Sequence, residues 1–175
     1  FVQTDPGVNG LKMDLVGPDN YSSMEFLDYN NDNDLDFLLT GLDSKSEEKI
    51  KLYKNKKSEF INIPFQNSYD DYYNSFSAAD YDNDGDIDIF STGYTPEIWL
   101  NNGNGNFSSN GTISPVGGEK NDVALADFDG DGDKDAFMAD DNGSDNELWL
   151  NDGNGNFSYS ASYGQNSDFM EIAAA

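Results

Sequence analysis

The sequence predicts an all-β fold, a β-propeller built from four-stranded blades. A run of alternating acidic residues occurs three times, beginning at Asp28, Asp80 and Asp127, so that the starts are 52 and 47 residues apart. Each run lies among short strand-like segments, and no stretch between the runs has helical periodicity. Periods of roughly 40–50 residues with four strands are typical of propeller blades, which bury their sheet faces against neighbouring blades.

Four strand-like segments recur in the same order in every repeat. The first precedes the acidic run, the second follows it directly, and the third and fourth form a hairpin. The turn of this hairpin contains two Asn-Gly pairs in the second repeat, and an Asp-Gly and an Asn-Gly pair in the third. Such pairs supply the positive φ that tight turns require. The third segment ends at Asn55, Asn101 or Asn151, and the fourth begins at Phe60, Phe107 or Phe157.

These spacings divide the chain into three full blades and two part-blades. The predicted ranges are 1–21 for the end of a preceding blade and its connection, 22–66, 67–113 and 114–163 for three blade repeats, and 164–175 for the first strand of a further blade. Closed propellers have about four to eight blades. We therefore expect the chain to be part of a longer array, and a separate 175-residue piece to self-associate or aggregate.

The composition excludes several classes of function. The chain has 34 acidic residues against nine basic ones, all Lys, and a net charge of −25. Because it has no His or Cys, it has no Ser-His-Asp triad, thiol nucleophile, zinc finger or disulfide framework. Nucleic-acid phosphates would repel so acidic a chain, and no apolar run is long enough to span a membrane. Six of the Lys residues fall between Lys45 and Lys57, interleaved with Glu, and predict a solvated hairpin face.

Each acidic run has the pattern of a metal-binding loop. The runs are called loop one (28–36), loop two (80–88) and loop three (127–135), and their odd positions carry oxygen-bearing side chains. Alternate side chains of a tightly curled loop converge, and convergent carboxylates repel one another unless a hard cation such as calcium neutralises them. The predicted metal ligands are Asp28, Asn30, Asp32, Asp34 and Asp36 in loop one, Asp80, Asp82, Asp84, Asp86 and Asp88 in loop two, and Asp127, Asp129, Asp131, Asp133 and Asp135 in loop three.

We expect one calcium ion per loop, three in this chain. Magnesium prefers to keep its waters, and softer metals prefer imidazole or thiolate ligands that the chain lacks. An EF-hand is excluded because position 12, a bidentate Glu in that motif, is Leu39, Ser91 or Met138. Loop one should be the weakest site, because Asn30 replaces a carboxylate and Asn33 replaces the glycine of position 6, although Asn tolerates left-handed geometry. The alternative is a solvated acidic turn without metal.

The Asp-x-Asp-x-Asp-Gly-Asp-x-Asp loop, followed by the Trp-Leu-Asn-x-Gly-Asn-Gly-Asn-Phe hairpin, resembles the FG-GAP/VCBS repeat family. The resemblance implies a β-propeller, commonly seven-bladed, with calcium in the hairpin between the first two strands of a blade. It also implies that position 7 (Asp34, Asp86, Asp133) binds calcium through its backbone carbonyl. Relatives such as integrin alpha-subunit head domains, propeller lectins and large bacterial surface proteins act outside the cell. The abundance of Asn, Lys and Tyr without Arg is typical of an AT-rich bacterial source.

The predicted function is binding or adhesion to a glycan or protein surface by an extracellular, calcium-stabilised, non-catalytic module. Tyr69, Tyr72 and Tyr73 lie beside two Asp residues between the first two blades, where aromatic rings could stack on a sugar. The alternative for these residues is an ordinary inter-blade strand with packed aromatic rings. The alternative function is the propeller part of a secreted carbohydrate-active enzyme, a polysaccharide lyase or glycosidase, because two carboxylates suffice for glycoside hydrolysis.

Overall fold

The computed structural model describes residues 24–42, 48–57, 59–63, 73–116, 118–140 and 143–164. Within these ranges the protein is made of β-strands and has no helix, and so none that could cross a membrane. The strands are β1 (Met24–Leu27), β2 (Asp36–Leu42), β3 (Glu48–Lys56), β4 (Glu59–Ile63), β5 (Tyr73–Ala79), β6 (Asp88–Gly93), β7 (Glu97–Asn101), β8 (Phe107–Thr112), β9 (Asp122–Ala126), β10 (Asp135–Ala139), β11 (Asn146–Asn151) and β12 (Phe157–Tyr163). The all-β prediction is confirmed, whereas ring closure and the number of blades stay predictions.

Each sheet is an antiparallel meander of four consecutive strands, as a propeller blade is. The strand orders are β1-β2-β3-β4, β5-β6-β7-β8 and β9-β10-β11-β12. In the first sheet, for example, Phe37 lies opposite Tyr53 and Leu38 lies opposite Leu52. Short connections produce this order because consecutive strands usually pair with each other. Each acidic loop therefore becomes the connection between the first and second strands of a sheet.

The apolar core lies between successive sheets. Period-two alternation directs neighbouring side chains of a strand to opposite faces of its sheet. In the second sheet, the paired residues Ile89 and Trp99 pack in the core shared with the first sheet. Phe90 and Ile98, also paired, pack in the core shared with the third sheet. Both faces of the middle sheet are thus buried, as stacking of blades requires.

The outer faces of the first and third sheets carry aromatic residues. On the first sheet, the ring of Phe37 stacks on Tyr53 with centroids 4.6 Å apart and meets Phe60 edge-on at 4.9 Å. Phe26, which contacts Phe37, is 56% exposed, and Phe128 at the third sheet is 46% exposed. Blades bury faces of this kind against a neighbour.

The first strands of the three sheets lie side by side. β5 contacts both β1 and β9. The Glu25 carboxylate accepts a hydrogen bond from the Ala78 backbone N–H at 3.1 Å, which links β1 to β5. Burial raises the pKa of Glu25, and this hydrogen bond lowers it. With the sheets aligned in this way, the three acidic loops follow one another along the same side of the stack.

Candidate metal centres

The three acidic runs fold into the same nine-residue loop. In each, the carboxylate of position 1 accepts a hydrogen bond from the backbone N–H of position 6, and that of position 5 accepts one from position 7. Such Asx-type bonds curl the backbone within a few residues. The distances between positions 6 and 1 are 2.8 Å from Asn33 to Asp28, 3.0 Å from Gly85 to Asp80 and 3.0 Å from Gly132 to Asp127.

Position 6 of each loop has a left-handed backbone. Its φ is 93° at Gly85, 102° at Gly132 and 65° at Asn33. Asn enters this region more readily than most other residues with a side chain. Loop one therefore keeps the path of the other two loops despite the replacement of its glycine, as predicted.

The Asp at position 9 joins each loop to its sheet. Asp36, Asp88 and Asp135 are fully buried at the start of the second strand. In loop two, Asp88 accepts backbone hydrogen bonds from Asn101 and Tyr81, both at 2.8 Å and on different carboxylate oxygens. Burial raises the pKa of Asp88 to about 6, although these two bonds lower it. A cation beside such a carboxylate would favour its ionised form.

Carboxylates converge in loops two and three. Within the described residues, two groups of three Asp each offer oxygens that lie within 4.8 Å of one another. These groups are Asp80, Asp82 and Asp88 in loop two, and Asp127, Asp129 and Asp135 in loop three. They occupy positions 1, 3 and 9, three of the positions that the sequence predicted as ligands.

In loops two and three, the pKa of the Asp at position 3 is raised. Burial, with a further contribution from the charge of Asp84, raises the pKa of Asp82. Loss of solvation, with the charge of Asp131 adding to it, raises the pKa of Asp129. A hard divalent cation relieves such repulsion, and a donor set made only of oxygens suits calcium. The residues present in loops two and three therefore fit a calcium ion.

In loops two and three, the side chain of position 7 contacts the loop of the preceding blade. Asp86 Oδ1 accepts a hydrogen bond from the Asn31 amide of loop one at 2.6 Å. In the same way, Asp133 Oδ1 accepts one from the Asn83 amide of loop two at 2.8 Å. These side chains connect successive loops, an arrangement consistent with a ligand role for the backbone carbonyl of position 7 alone.

Loop one differs from the others because a lysine side chain lies among its ligand positions. Lys54 Nζ is 2.8 Å from Asp32 Oδ2 and donates a hydrogen bond to Asn30 Oδ1 at 3.0 Å. Asn30 in turn donates from its amide nitrogen to Asp36 Oδ2 at 2.6 Å. The hydrogen bond from Lys54 lowers the pKa of Asp32, whereas burial raises the pKa of Asp36 in the same loop. Lys54 is thus bound into loop one, which corrects its assignment to a solvated lysine face.

The second and third blades hold the loop of the blade before them through the Asn at the end of the third strand, a role that the sequence analysis did not assign. Asn101 donates from its side chain to the Tyr29 backbone carbonyl of loop one at 2.6 Å, and Asn151 donates to the Tyr81 carbonyl of loop two at 2.8 Å. The signal was present in the sequence as an Asn at the end of every third segment and an aromatic residue at position 2 of every loop.

The predicted sugar-binding aromatic residues lie largely outside the described part of the chain. Tyr69 and Tyr72 fall outside it, and Tyr73 begins β5, where its backbone pairs with Gly93, but its side chain also lies outside. An open cleft of about 320 Å³ lies between β5 and β9, lined by residues 77–79 and 123–125 and by Lys134. Its side chains are mostly small and apolar, apart from Ser77 and Lys134.

The repeated loops and sheets correspond to a known sequence family. A sequence profile described as the FG-GAP-like repeat matches residues 28–91, 80–138 and 127–175. The chain belongs to the FG-GAP-like repeat family. Each match begins at the first Asp of an acidic loop, and the first two matches extend through the following loop.

The FG-GAP-like repeats of this chain share their fold with a solved lectin. No curated protein matches the chain. Among solved structures, it is similar to an Agrocybe aegerita lectin, described as specifically recognising non-reducing terminal N-acetylglucosamine. The two are 18% identical with a TM-score of 0.53, and the match covers 81% of this chain but 38% of the lectin. The likeness shows the fold, and the chain spans less than half the lectin's length.

Proposed function

We propose that the chain is part of an extracellular, calcium-stabilised β-propeller that binds a glycan or a protein surface. The observation that carries the calcium role is the convergence of carboxylates within 4.8 Å in loops two and three. Loop two lies at the junction between the second and third sheets, where Asn151 of the next blade donates to its Tyr81 carbonyl. Calcium there is structural and takes no part in a reaction.

The ligands of each calcium ion come from a single loop. The carboxylates of positions 1, 3, 5 and 9 and the backbone carbonyl of position 7 supply oxygens, which suit a cation that takes six to eight of them. In loop two these residues are Asp80, Asp82, Asp84, Asp88 and, through its carbonyl, Asp86; in loop three they are Asp127, Asp129, Asp131, Asp135 and, through its carbonyl, Asp133. The bound ion removes the repulsion among the carboxylates and makes the loop rigid.

A rigid loop also strengthens the contact between blades. Asn83 extends from loop two to Asp133 of loop three, and also donates to the Gly153 carbonyl at 3.2 Å. The end of a mobile loop would have to be ordered before it could make these bonds, and that ordering costs conformational entropy. Calcium removes part of this cost before the blades dock, so its binding stabilises the stack as a whole.

The binding role is supported by membership of the FG-GAP-like repeat family and by the fold shared with a lectin. We place the ligand site at Tyr69, Tyr72 and Tyr73, because junctions between units favour pockets and aromatic rings stack on sugars. The net charge of −25 would repel an anionic glycan, which favours a neutral ligand. Glycans that end in N-acetylglucosamine, the ligand of the similar lectin, are therefore the first to test.

We further propose that the repeat units extend over 22–66, 67–113 and 114–163, with parts of other blades at 1–21 and 164–175. The four strands of each described sheet fall inside one of the three central ranges. The exposed rings of Phe26 and Phe128 lie on the outer faces that further blades of the same protein would cover.

Two measurements test the calcium role and the binding role separately. Thermal unfolding with calcium and with EDTA should differ, and identical curves would remove calcium from the proposal. A glycan array that includes neutral glycans ending in N-acetylglucosamine should show binding, which Tyr69→Ala or Tyr72→Ala weakens. Tyr159→Ala, at an exposed tyrosine of β12, is the matched control and should bind normally. Release of products from a polysaccharide would instead favour the enzyme alternative.

A further inference from the structure

The third strands of the three sheets are equivalent residue by residue. Near its C-terminal end, each carries an Asn whose backbone N–H donates to the Asp at position 9 of its own loop, at 2.6 Å for Asn55, 2.8 Å for Asn101 and 2.9 Å for Asn151. The residue just before this Asn therefore occupies the same place in every blade. That residue is Lys54 in the first described blade, Leu100 in the second and Leu150 in the third.

The Lys54 ammonium satisfies two of the predicted ligand positions of loop one. It lies 2.8 Å from Asp32 Oδ2 and 3.0 Å from Asn30 Oδ1. The other oxygen of Asp32 accepts the Asp34 backbone N–H at 3.0 Å, and the Asn30 nitrogen donates to Asp36 at 2.6 Å. Positions 3, 5 and 9 of loop one are thus joined by hydrogen bonds within the protein.

We propose that the Lys54 ammonium closes loop one in place of calcium, so that the three loops of this chain hold two calcium ions. The inference rests on the proposed calcium role of loops two and three. It replaces the expectation of three ions, one of them weakly bound.

Charge and ligand number both favour this assignment. Loop one offers carboxylates at positions 1, 5 and 9, whereas loops two and three offer a fourth at position 3. A divalent ion entering loop one would meet a positive charge that already contacts two of its ligand positions, and like charges at such short range repel strongly. Lys54 is also part of the chain, so its ammonium is present at high effective concentration whatever the calcium level.

An internal cation would make the first described blade independent of calcium. Asn31 lies in loop one and donates to Asp86 of loop two. A loop one that Lys54 keeps closed would hold Asn31 ready for loop two even without calcium. Calcium would then be required for the order of the second and third described blades but not the first.

Counting the bound ions tests the proposal directly. We expect native mass spectrometry and titration calorimetry with calcium to give two ions for the wild-type protein. Lys54→Leu, which installs the residue of the other blades, should add a third ion by raising the affinity of loop one about tenfold or more. Lys56→Leu removes the same charge from an exposed position of the same strand and should leave two ions. Lys54→Gln serves as a second variant that keeps a polar group but removes the charge.

A second substitution identifies the loop that gains the ion. Asp28→Ala should remove the third ion from the Lys54→Leu protein and leave the count of two in the wild-type background. In EDTA, Lys54→Leu should melt below both the wild type and Lys56→Leu, because its loop one has no cation. Added calcium should raise its melting temperature more than it raises that of the wild type.

The outcomes separate this inference from the proposed function. Three ions in the wild type, or a count of two that neither Lys54→Leu nor Lys54→Gln changes, would overturn the role of Lys54 and leave calcium in loops two and three standing. No calcium binding by any variant would overturn both.

Discussion

Gly105, at the tip of the β7–β8 hairpin, packs against the loop of the preceding blade. Replacing it should separate the cost of a left-handed backbone from the cost of a steric clash. Gly105 has a φ of +76°, and a Cβ built on it would lie 2.1 Å from Tyr29 Cε2. Gly155, at the same place in the β11–β12 hairpin, has a φ of +73°, but its Cβ would lie 3.1 Å from the nearest atom, a methyl carbon of Leu100. The two positions share their backbone conformation and differ in the space around them.

The expected free-energy changes follow from that difference. A left-handed backbone costs a residue with a Cβ about 1–2 kcal/mol, so Gly155→Ala should destabilise the protein by about this amount. Gly105→Ala adds a clash with a buried ring that packs against Phe107 with centroids 6.3 Å apart. Overpacking of this kind typically costs about 1–3 kcal/mol, so Gly105→Ala should destabilise by about 2–5 kcal/mol in total.

Urea denaturation at a fixed calcium concentration measures both changes, provided the m-value stays constant. Replacing the ring provides a further test, because Gly105→Ala in a Tyr29→Leu background should cost no more than Gly155→Ala does. Equal destabilisation by the two glycine substitutions, or a larger effect at Gly155, would show that Tyr29 does not fill the space beside the hairpin and would refute the docking of hairpin on loop.

Three further predictions concern the metal loops, a buried ion pair and a link between blades. Each calcium site should contribute about 2.7 kcal/mol at a hundredfold excess over its Kd. In thermal unfolding with and without EDTA, Asp82→Ala or Asp129→Ala should therefore lose about half of the stabilisation by calcium. Full stabilisation in either variant would argue against that site. Lys120→Met should destabilise by about 3–5 kcal/mol in chemical denaturation, because the fully buried Lys120 ammonium lies 2.9 Å from Glu147 Oε1; a loss below about 1 kcal/mol, the range of exposed pairs, would contradict this. Asn151→Ala should cost about 0.5–1.5 kcal/mol by the same assay, because the Tyr81 carbonyl of the preceding loop loses its donor at 2.8 Å and keeps the Gly155 N–H at 3.0 Å, and an unchanged midpoint would exclude that role.

The architecture of the metal loops could be predicted because the interactions that shape them are local. In loop two, the bond from Gly85 to Asp80 spans five residues, and the neighbouring bonds span even fewer. Alternating Asp residues and a residue that accepts positive φ are enough to close such a loop, wherever the rest of the chain lies. The period of about 50 residues similarly predicts four strands per repeat, because hairpins pair consecutive segments across short turns.

The contacts between residues far apart in the sequence depend on strand pairing and on sheet stacking, and they were not predicted. Lys54 and Asn30 are 24 residues apart, and Asn101 and Tyr29 are 72 residues apart. In the sequence, Lys54 is one of six Lys in a short charged stretch, and nothing in its local pattern separates it from its neighbours. It reaches loop one because antiparallel pairing of β2 and β3 brings the end of the third strand beside the start of the second, and because strand alternation turns its side chain toward the loop. The aspartate spacing therefore specifies three similar loops. The packing of strands around them places the Lys54 ammonium in loop one and leaves converging carboxylates in loops two and three.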